Sequence, residues 1–119
     1  MIPDEGFRKK EHLVKTGDFR RVYREGRSVK KEAFVFYYLT NNLNRNRFGV
    51  VVAARNVKRA NKRNRIKRLL RETYRKTKNK QKTGFDIIVS VKRELPWTAG
   101  YFDIEKMFLE LAGQAGILI

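Results

Sequence analysis

Arginine and lysine side chains crowd one segment of this 119-residue sequence, "KRNRIKRLLRETYR", at positions 62–75. The planar guanidinium group of arginine can donate two parallel hydrogen bonds to one phosphate group, which the lysine ammonium group cannot do. Between Arg55 and Lys82 there are fourteen basic residues and a single acidic residue, Glu72. These residue types, at this density, favour the binding of phosphate groups.

The same segment has the periodicity of an amphipathic helix, which we predict over residues 60–76. At about 100° per residue, the apolar side of this helix consists of Ile66, Leu69, Leu70 and Thr73. The opposite side consists of Asn64, Lys67, Arg68, Arg71 and Arg75, with Arg63 at the border. We expect the apolar side to anchor the helix and the basic side to face a partner. The alternative is a helix face that only contacts solvent.

The charge of the whole chain favours a polyanionic partner. Twenty-nine lysine and arginine residues stand against twelve acidic residues, which gives a formal net charge of +17. Self-repulsion of this size opposes compaction, and nucleic acid or an anionic membrane surface would relieve it. No apolar run reaches the roughly 20 residues of a membrane span, and "MIPDEGFRKK" lacks the apolar core of a signal peptide. We therefore expect a cytoplasmic protein that contacts nucleic acid and no membrane.

The residue types that carry out catalysis are scarce and scattered. The chain has one histidine, His12, no cysteine, and aspartates such as Asp4, Asp18, Asp86 and Asp103 without metal-ligand spacing. We interpret His12 as a solvated side chain, because no neighbour would orient it as a general base. Asp18 or Asp86 could assist a nucleic-acid-bound Mg²⁺, although no pattern requires it. We expect no catalytic residue, no metal site and no small-molecule substrate.

Other segments predict the elements that position the basic helix. A first short helix is predicted for "TGDFRRVYREG", with Thr16 or Asp18 as its cap and Gly26 at its end. Aromatic and β-branched residues predict a strand at residues 33–39 and a second strand in "RFGVVVAA". Residues 29–32 join the first strand, so that two or three strands precede the basic helix. The asparagine-rich "TNNLNRN" between the two strands predicts a turn.

The rest of the chain supplies one more strand and one more helix. The polar "KTKNKQKTG" predicts an exposed loop, and the apolar residues 85–91 predict a central strand. A closing helix is predicted from its apolar spacing, at Ile104, Met107, Phe108 and Leu111. The order α-β-β-β-α-β-α predicts an α+β fold, a two-layer sandwich with helices packed on a small mixed sheet. We expect one domain over residues 1–119.

Aromatic residues mark a second candidate site on the first helix and the first long strand. Phe19 and Tyr23 are four residues apart on one helical face, and Val35 and Tyr37 share one face of the strand. The opposite face of the strand carries Phe34, Phe36 and Tyr38. Since a core on one side of a sheet needs only one such face, the other could stack unpaired bases. The alternative is that all these rings belong to the core.

The motif at residues 62–72, "KRNRIKRLLRE", resembles the RNR motif of the protein subunit of bacterial ribonuclease P. That ribonucleoprotein removes the 5′ leader from precursor tRNA. Further segments resemble the same family in the same order, namely "DFRRVYREGRSV", "FVFYYL", "FGVVVA" and "GFDIIVSVK". The resemblance covers nearly the whole chain. Just before the motif this chain reads "VKRAN" where the family has a G-x-A-V turn.

The resemblance implies a division of labour between RNA and protein. In that family the RNA subunit is catalytic and holds Mg²⁺, while the protein binds RNase P RNA and precursor tRNA. By similarity, the surface that meets RNase P RNA consists of Arg63, Asn64, Arg65, Lys67, Arg68 and Arg71. The cleft for the 5′ leader consists, by the same similarity, of Phe19, Tyr23, Val35, Tyr37, Arg63 and Lys67. The family also implies a left-handed crossover around the basic helix, although strand–helix–strand units are generally right-handed.

Two other functions remain open at this point. A ribosome-associated protein could use the same basic face on ribosomal RNA. An autonomous nuclease would cleave RNA without an RNA subunit. The three alternatives differ in whether this protein restores 5′ maturation of precursor tRNA when it is added to RNase P RNA.

Overall fold

A mixed four-stranded β-sheet with helices on both faces forms the body of the protein in a computed structural model, which describes residues 9–96 and 99–119. The strands are β1 (Arg27–Lys31), β2 (Phe34–Thr40), β3 (Arg47–Val52) and β4 (Phe85–Val91). The α-helices are α1 (Thr16–Glu25), α2 (Ala60–Thr77) and α3 (Tyr101–Gln114). The α+β class and the order α-β-β-β-α-β-α are confirmed.

The strand order in the sheet is β1-β2-β4-β3. Strand β4 pairs antiparallel with β2 and parallel with β3, and α2 connects the two parallel strands. Strand β4 is therefore central, as its continuous apolar sequence predicts, and it is buried from Asp86 to Val91. The left hand of the β3–α2–β4 crossover stays a prediction from the family resemblance.

The main core lies between one face of the sheet and the helices α2 and α3. Phe48 of β3 stacks on Tyr74 of α2 with ring centroids 4.6 Å apart and an interplanar angle of 10°. Phe108 of α3 packs edge-on against both Phe48 and Phe36. Each such buried ring removes a large apolar area from water, worth roughly 1.5–3 kcal/mol. These contacts fix α2 and α3 side by side on the sheet.

Helix α1 covers part of the opposite face. Val22 of α1 is fully buried with Leu13 and with Ile88 of β4, which points away from the main core. The helix ends at Gly26, where a Cβ atom would lie 2.5 Å from the carbonyl oxygen of Val22 and 2.7 Å from that of Tyr38. Gly26 thus ends α1 as predicted, and its lack of a side chain lets α1 approach β2 this closely.

Two local predictions were wrong. Helix α1 begins at Thr16 and its N-cap is Lys15, without a side-chain cap, so neither Thr16 nor Asp18 is the cap. The predicted exposed loop contains a short 3-10 helix, Lys78–Lys80, and the side chains of Thr77 and Gln81 are buried. The hydroxyl group of Thr77 donates to the carbonyl oxygen of Thr73 at 2.7 Å. This hydrogen bond compensates for the burial of the Thr77 hydroxyl group.

A fully buried carboxylate joins the elements around the second face of the sheet. Asp86 of β4 accepts hydrogen bonds from Arg47 of β3 at 2.7 and 2.8 Å, from Arg21 of α1 at 2.9 Å and from Asn41 at 3.0 Å. Arg47 also pairs with Asp18 of α1 at 3.3 Å. Burial alone would raise the pKa of Asp86, but the hydrogen bonds from Arg47 and Asn41 outweigh it and lower the pKa. The network ties α1 to β3 and β4.

Within residues 9–96 and 99–119, no helix combines the length and the apolar character that crossing a bilayer requires. Residues 1–8, which include most of the segment considered above for a signal peptide, lie outside the described residues.

The substitution Asp86→Asn is expected to lower the free energy of unfolding by about 3 kcal/mol, because it leaves two arginines facing a neutral buried group. Glu25→Gln is a matched control, since Glu25 lies in an exposed pair with Arg24 at 3.8 Å. Exposed pairs are worth about 1 kcal/mol or less. Urea unfolding at pH 7 measures both, and equal effects of the two substitutions would contradict the structural role of Asp86.

The difference in stability between wild type and Asp86→Asn should depend on pH. Because the folded-state pKa of Asp86 is lowered, its contribution is fully present above the ordinary carboxyl pKa of about 3.9 and is lost as the pH falls through the folded value. The difference in stability between wild type and Asp86→Asn should therefore shrink below about pH 4. Repeating the urea titration at pH 3 measures this difference.

Candidate nucleic-acid interface

The apolar side of α2 anchors the helix, as the sequence predicts. Ile66, Leu70 and Thr73 are buried and Leu69 is half-buried at the edge of the main core. Tyr74, which the sequence analysis did not include, is also buried and stacks on Phe48. Tyr74 follows Leu70 by four residues, which places both on the same side of the helix. The apolar side is therefore wider than predicted.

The opposite side of α2 faces outward. Asn64, Arg68 and Arg71 are exposed, and Lys67 is half-buried. Within the part of the chain that the structure describes, Arg68 and Arg71 make no hydrogen bond or ion pair. Their guanidinium groups are thus available to a partner. An exposed arginine loses little hydration until a phosphate group approaches and can then bind it through both nitrogens of the fork.

Other cations of α2 are held by contacts within the protein. Arg65 Nη2 donates to the carbonyl oxygen of Ala99 at 2.7 Å, and Arg75 pairs with Glu72. The hydrogen bond from Arg75 lowers the pKa of Glu72 despite the opposing effect of burial. Lys62 lies 3.7 Å from Glu94. The outward basic side of α2 therefore centres on Arg68 and Arg71. Arg75 also lies on this side, but it is paired with Glu72.

Arg63 fixes the turn that leads into α2. Its Nη1 atom donates to the carbonyl oxygens of Val57 at 3.0 Å and Lys58 at 2.8 Å. Val57 is fully buried, whereas Lys58 and Arg59 are exposed. In the unusual sequence directly before α2, Val57 thus points inward, whereas the basic residues Lys58 and Arg59 point outward.

The aromatic residues form a cleft between α1 and the second face of the sheet. Tyr23 of α1 and Tyr37 of β2 meet edge to face, with ring centroids 4.8 Å apart and an interplanar angle of 84°. Tyr23 is 42% exposed and Tyr37 is half-buried. Val35 lies two residues before Tyr37 and so shares its face of the sheet. The face opposite the main core thus carries Val35 and Tyr37 next to α1.

Phe19 belongs to this region but is more enclosed. It packs on Gly49 of β3, where a Cβ atom would come within 2.8 Å of the Phe19 ring. It also packs against the small cluster formed by Leu13, Val22 and Ile88. The aromatic rings therefore differ in burial: Phe34 and Phe36 are core, Phe19 is partly core, and Tyr23 and Tyr37 remain partly accessible.

The cleft contains polar residues that the sequence analysis missed. Lys92 Nζ lies 5.8 Å from the centroid of the Tyr37 ring, and the hydroxyl groups of Tyr23 and Ser90 are 3.3 Å apart. Ser90 lies in β4 and Lys92 directly follows it, two residues on, so the alternation of the strand directs both toward the same face. That alternation is the signal by which they could have been found. Lys92 adds a cation at the aromatic surface.

The carboxylates of Asp18 and Asp86, considered above for a nucleic-acid-bound Mg²⁺, are engaged within the protein. Both carboxylates are bound by Arg47, and Asp86 is inaccessible. The part of the chain covered by residues 9–96 and 99–119 contains no group of three His, Cys, Asp or Glu side chains placed to hold a metal ion. His12 is half-buried, and a β-bridge joins it to Phe48, so it is less solvated than predicted.

The fold and this surface define a class of protein: a small, strongly basic α+β protein with outward-facing arginines beside an aromatic cleft. A family model described as Ribonuclease P matches residues 7–116. The chain belongs to the ribonuclease P protein component family.

Relatives and solved structures agree with this membership. The ribonuclease P protein component of Clostridium botulinum is 37% identical over 110 residues, which cover 92% of this chain and 97% of that protein. The counterpart from Thermotoga petrophila is 38% identical over 76% of this chain and 77% of that protein. A Staphylococcus aureus RNase P protein mutant superposes with a TM-score of 0.83 at 29% identity, over 92% of each chain. The Thermotoga maritima RNase P protein gives 0.77 at 30% identity, over 87% of this chain and 96% of that one.

The two sides of α2 should respond differently to truncation. Leu70→Ala is expected to lower the free energy of unfolding by about 2–5 kcal/mol, because it opens a cavity in the main core. Arg71→Ala, one residue away on the exposed side, should change it by less than about 0.5 kcal/mol. Chemical denaturation measures both values. A large loss of stability in Arg71→Ala would show that this arginine is needed for folding rather than free for a partner.

Proposed function

We propose that this protein is the protein component of a ribonuclease P ribonucleoprotein and supports removal of the 5′ leader from precursor tRNA. Its outward basic side binds RNase P RNA, and its aromatic cleft binds the leader. The RNA subunit performs the hydrolysis. The observation that carries this proposal is that Arg68 and Arg71 are exposed, and unpaired among the residues that the structure describes, on a firmly anchored helix in a chain of this family.

The RNA contact follows from the charge distribution on α2. Arg68 and Arg71 lie one turn apart, so both can reach phosphate groups of one RNA surface. Binding of cations to phosphates releases counterions, which favours association at low salt. Asn64 and Lys67 extend the same surface along the helix, and Arg63 and Arg65 adjoin it while keeping their backbone contacts. These six residues are the proposed site for RNase P RNA.

The leader contact follows from the geometry of the cleft. Unpaired bases stack on aromatic rings, and Tyr37 presents a half-buried ring with Tyr23 at its edge. Phe19 and Val35 supply the apolar surroundings, and Lys92 can neutralise a phosphate group beside the stacked base. Arg63 and Lys67 at the start of α2 complete the proposed path of the leader.

Catalysis is assigned to the RNA subunit and to Mg²⁺ bound there. The carboxylates of Asp18 and Asp86 are neutralised by arginines, so they do not supply ligands. Metal ions held by RNA would stabilise the attacking and leaving oxygens of the phosphodiester. The protein would act by binding and orientation, in the cytoplasm, where precursor tRNA and RNase P RNA are its partners.

Adding this protein to RNase P RNA is expected to restore 5′ maturation of precursor tRNA at low Mg²⁺. Arg68→Ala should weaken binding to RNase P RNA and reduce the slope of log K against log salt by about one unit, because one phosphate contact is lost. Arg27→Ala is the control, since Arg27 is exposed on the edge strand β1. No rescue by wild type would contradict the proposal, and cleavage by the protein alone would indicate an autonomous nuclease.

Truncating the ring of Tyr37 should weaken binding of the leader. Tyr37→Ala is expected to cost about 1–3 kcal/mol of affinity for precursor tRNA, and Tyr37→Phe, which keeps the ring, should cost much less. The measurement is the affinity of the assembled holoenzyme for precursor tRNA with a leader and for mature tRNA without one. Equal losses on both RNAs would show that Tyr37 does not contact the leader.

A further inference from the structure

Phe102, in the first turn of α3, is the most exposed aromatic side chain among the described residues, with 80% of its surface accessible. Phenylalanine has no polar group to hydrate and usually contributes its large surface to a core or an interface. The Phe102 ring rests edge to face on Tyr101, with centroids 5.5 Å apart and an interplanar angle of 77°. Tyr101 thus covers one part of the Phe102 ring, and the rest of the Phe102 ring is accessible to solvent.

Tyr101, which supports Phe102, is itself fixed in position. Its hydroxyl group donates to Glu105 at 2.6 Å, and Lys76 Nζ of α2 lies 5.0 Å from the centroid of its ring. The start of α3 is held as well, because the Gly100 N–H group donates to the Asp103 carboxylate at 2.9 Å. A ligand that stacks on this pair therefore needs little ordering of the protein, which favours affinity.

The ring pair lies beside the proposed RNA-binding side of α2. Arg65 contacts Ala99 just before α3, and Lys76 contacts Tyr101, so one side of α2 runs along the start of α3. Arg68 is one turn beyond Arg65 on α2 and borders this side. The exposed aromatic surface therefore adjoins the side of α2 that Arg68 borders.

We propose that Phe102, supported by Tyr101, is a stacking site for an unpaired nucleobase of the RNA whose phosphates contact Arg68 and Arg71. This inference rests on the proposed function and adds a contact outside the basic helix and the cleft. Charge identifies the occupant: Arg68, together with the partnered cations Arg65 and Lys76, attracts a polyanion, whereas a second copy of a chain with net charge +17 would be repelled. Arg65 donates to Ala99, and Lys76 lies 3.7 Å from Glu72. The nearby acids are engaged, Asp103 with Gly100, Glu105 with Tyr101 and Glu72 with Arg75.

The experiment compares the affinity of full-length variants for RNase P RNA over a range of salt concentrations. Phe102→Ala is expected to weaken binding about 5- to 100-fold, the range for loss of one stacked base. The loss should be the same at every salt concentration, because no cation is removed. Phe102→Trp should bind at least as well as wild type. Ile119→Ala, which removes an apolar side chain that is 86% exposed in the segment after α3, should not change affinity.

Each contrary result has a distinct meaning. If Phe102→Ala binds like wild type while Arg68→Ala binds weakly, the stacking site is wrong and the proposed function stands. If wild type itself does not bind RNase P RNA, the proposed function fails. If Phe102→Ala instead abolishes self-association seen by sedimentation, the ring is a protein contact and the inference is overturned. Because Phe102 is exposed, the stability of Phe102→Ala, checked by urea unfolding, should match that of wild type.

Discussion

The packing of α2 against the sheet must overcome repulsion between the charges of the helix itself. The spacing i, i+4 relates Arg63 to Lys67, Lys67 to Arg71 and Arg71 to Arg75, and each such like-charged pair costs roughly 0.2–0.5 kcal/mol. Burying a single leucine or isoleucine side chain contributes roughly 1.5–3 kcal/mol. The burial of Ile66, Leu70 and Tyr74 therefore contributes clearly more free energy than the repulsion between these charges costs. The basic surface exists because the apolar side holds it in place.

The acidic residues within residues 9–96 and 99–119 are placed where they do not cancel that surface. Asp86 and Asp18 pair with arginines of the sheet and α1, and Glu110 of α3 pairs with Lys31 of β1. On α2 itself only Glu72 is acidic, and it pairs with Arg75 and Lys76. Arg68 and Arg71 are left without an acidic partner in the described parts of the chain. The distribution of acids thus decides which cations serve the fold and which face a ligand.

The order and type of the elements could be predicted from the sequence because they depend on local patterns. The 3.6-residue period of α2 and the β-branched run of β4 are contained within each segment. The alternation that places Phe36 in the core and Tyr37 on the other face is equally local. The fold class and the two faces of the candidate site could therefore be predicted from the sequence.

The features that the sequence did not reveal depend on contacts between distant positions. Asp86 meets Arg47 across 39 positions and Arg21 across 65, so its isolation in the sequence concealed a buried network. The burial of Gln81 likewise depends on the C-terminal segment, since a β-bridge joins it to Leu118. Lys92 comes near Tyr37 only because β4 lies beside β2. No periodicity within one segment contains this information.

The close contact at Gly26 determines how the cleft can adapt. Because the backbone at the end of α1 lies against the carbonyl oxygen of Tyr38 with no room for a methyl group, the two walls cannot move closer together at this end. The cleft therefore has a minimum width there, and adjustment to a ligand would come from rotation of tyrosine and lysine side chains. A rigid frame with adjustable contacts suits recognition of a strand by its chemistry rather than by its particular bases.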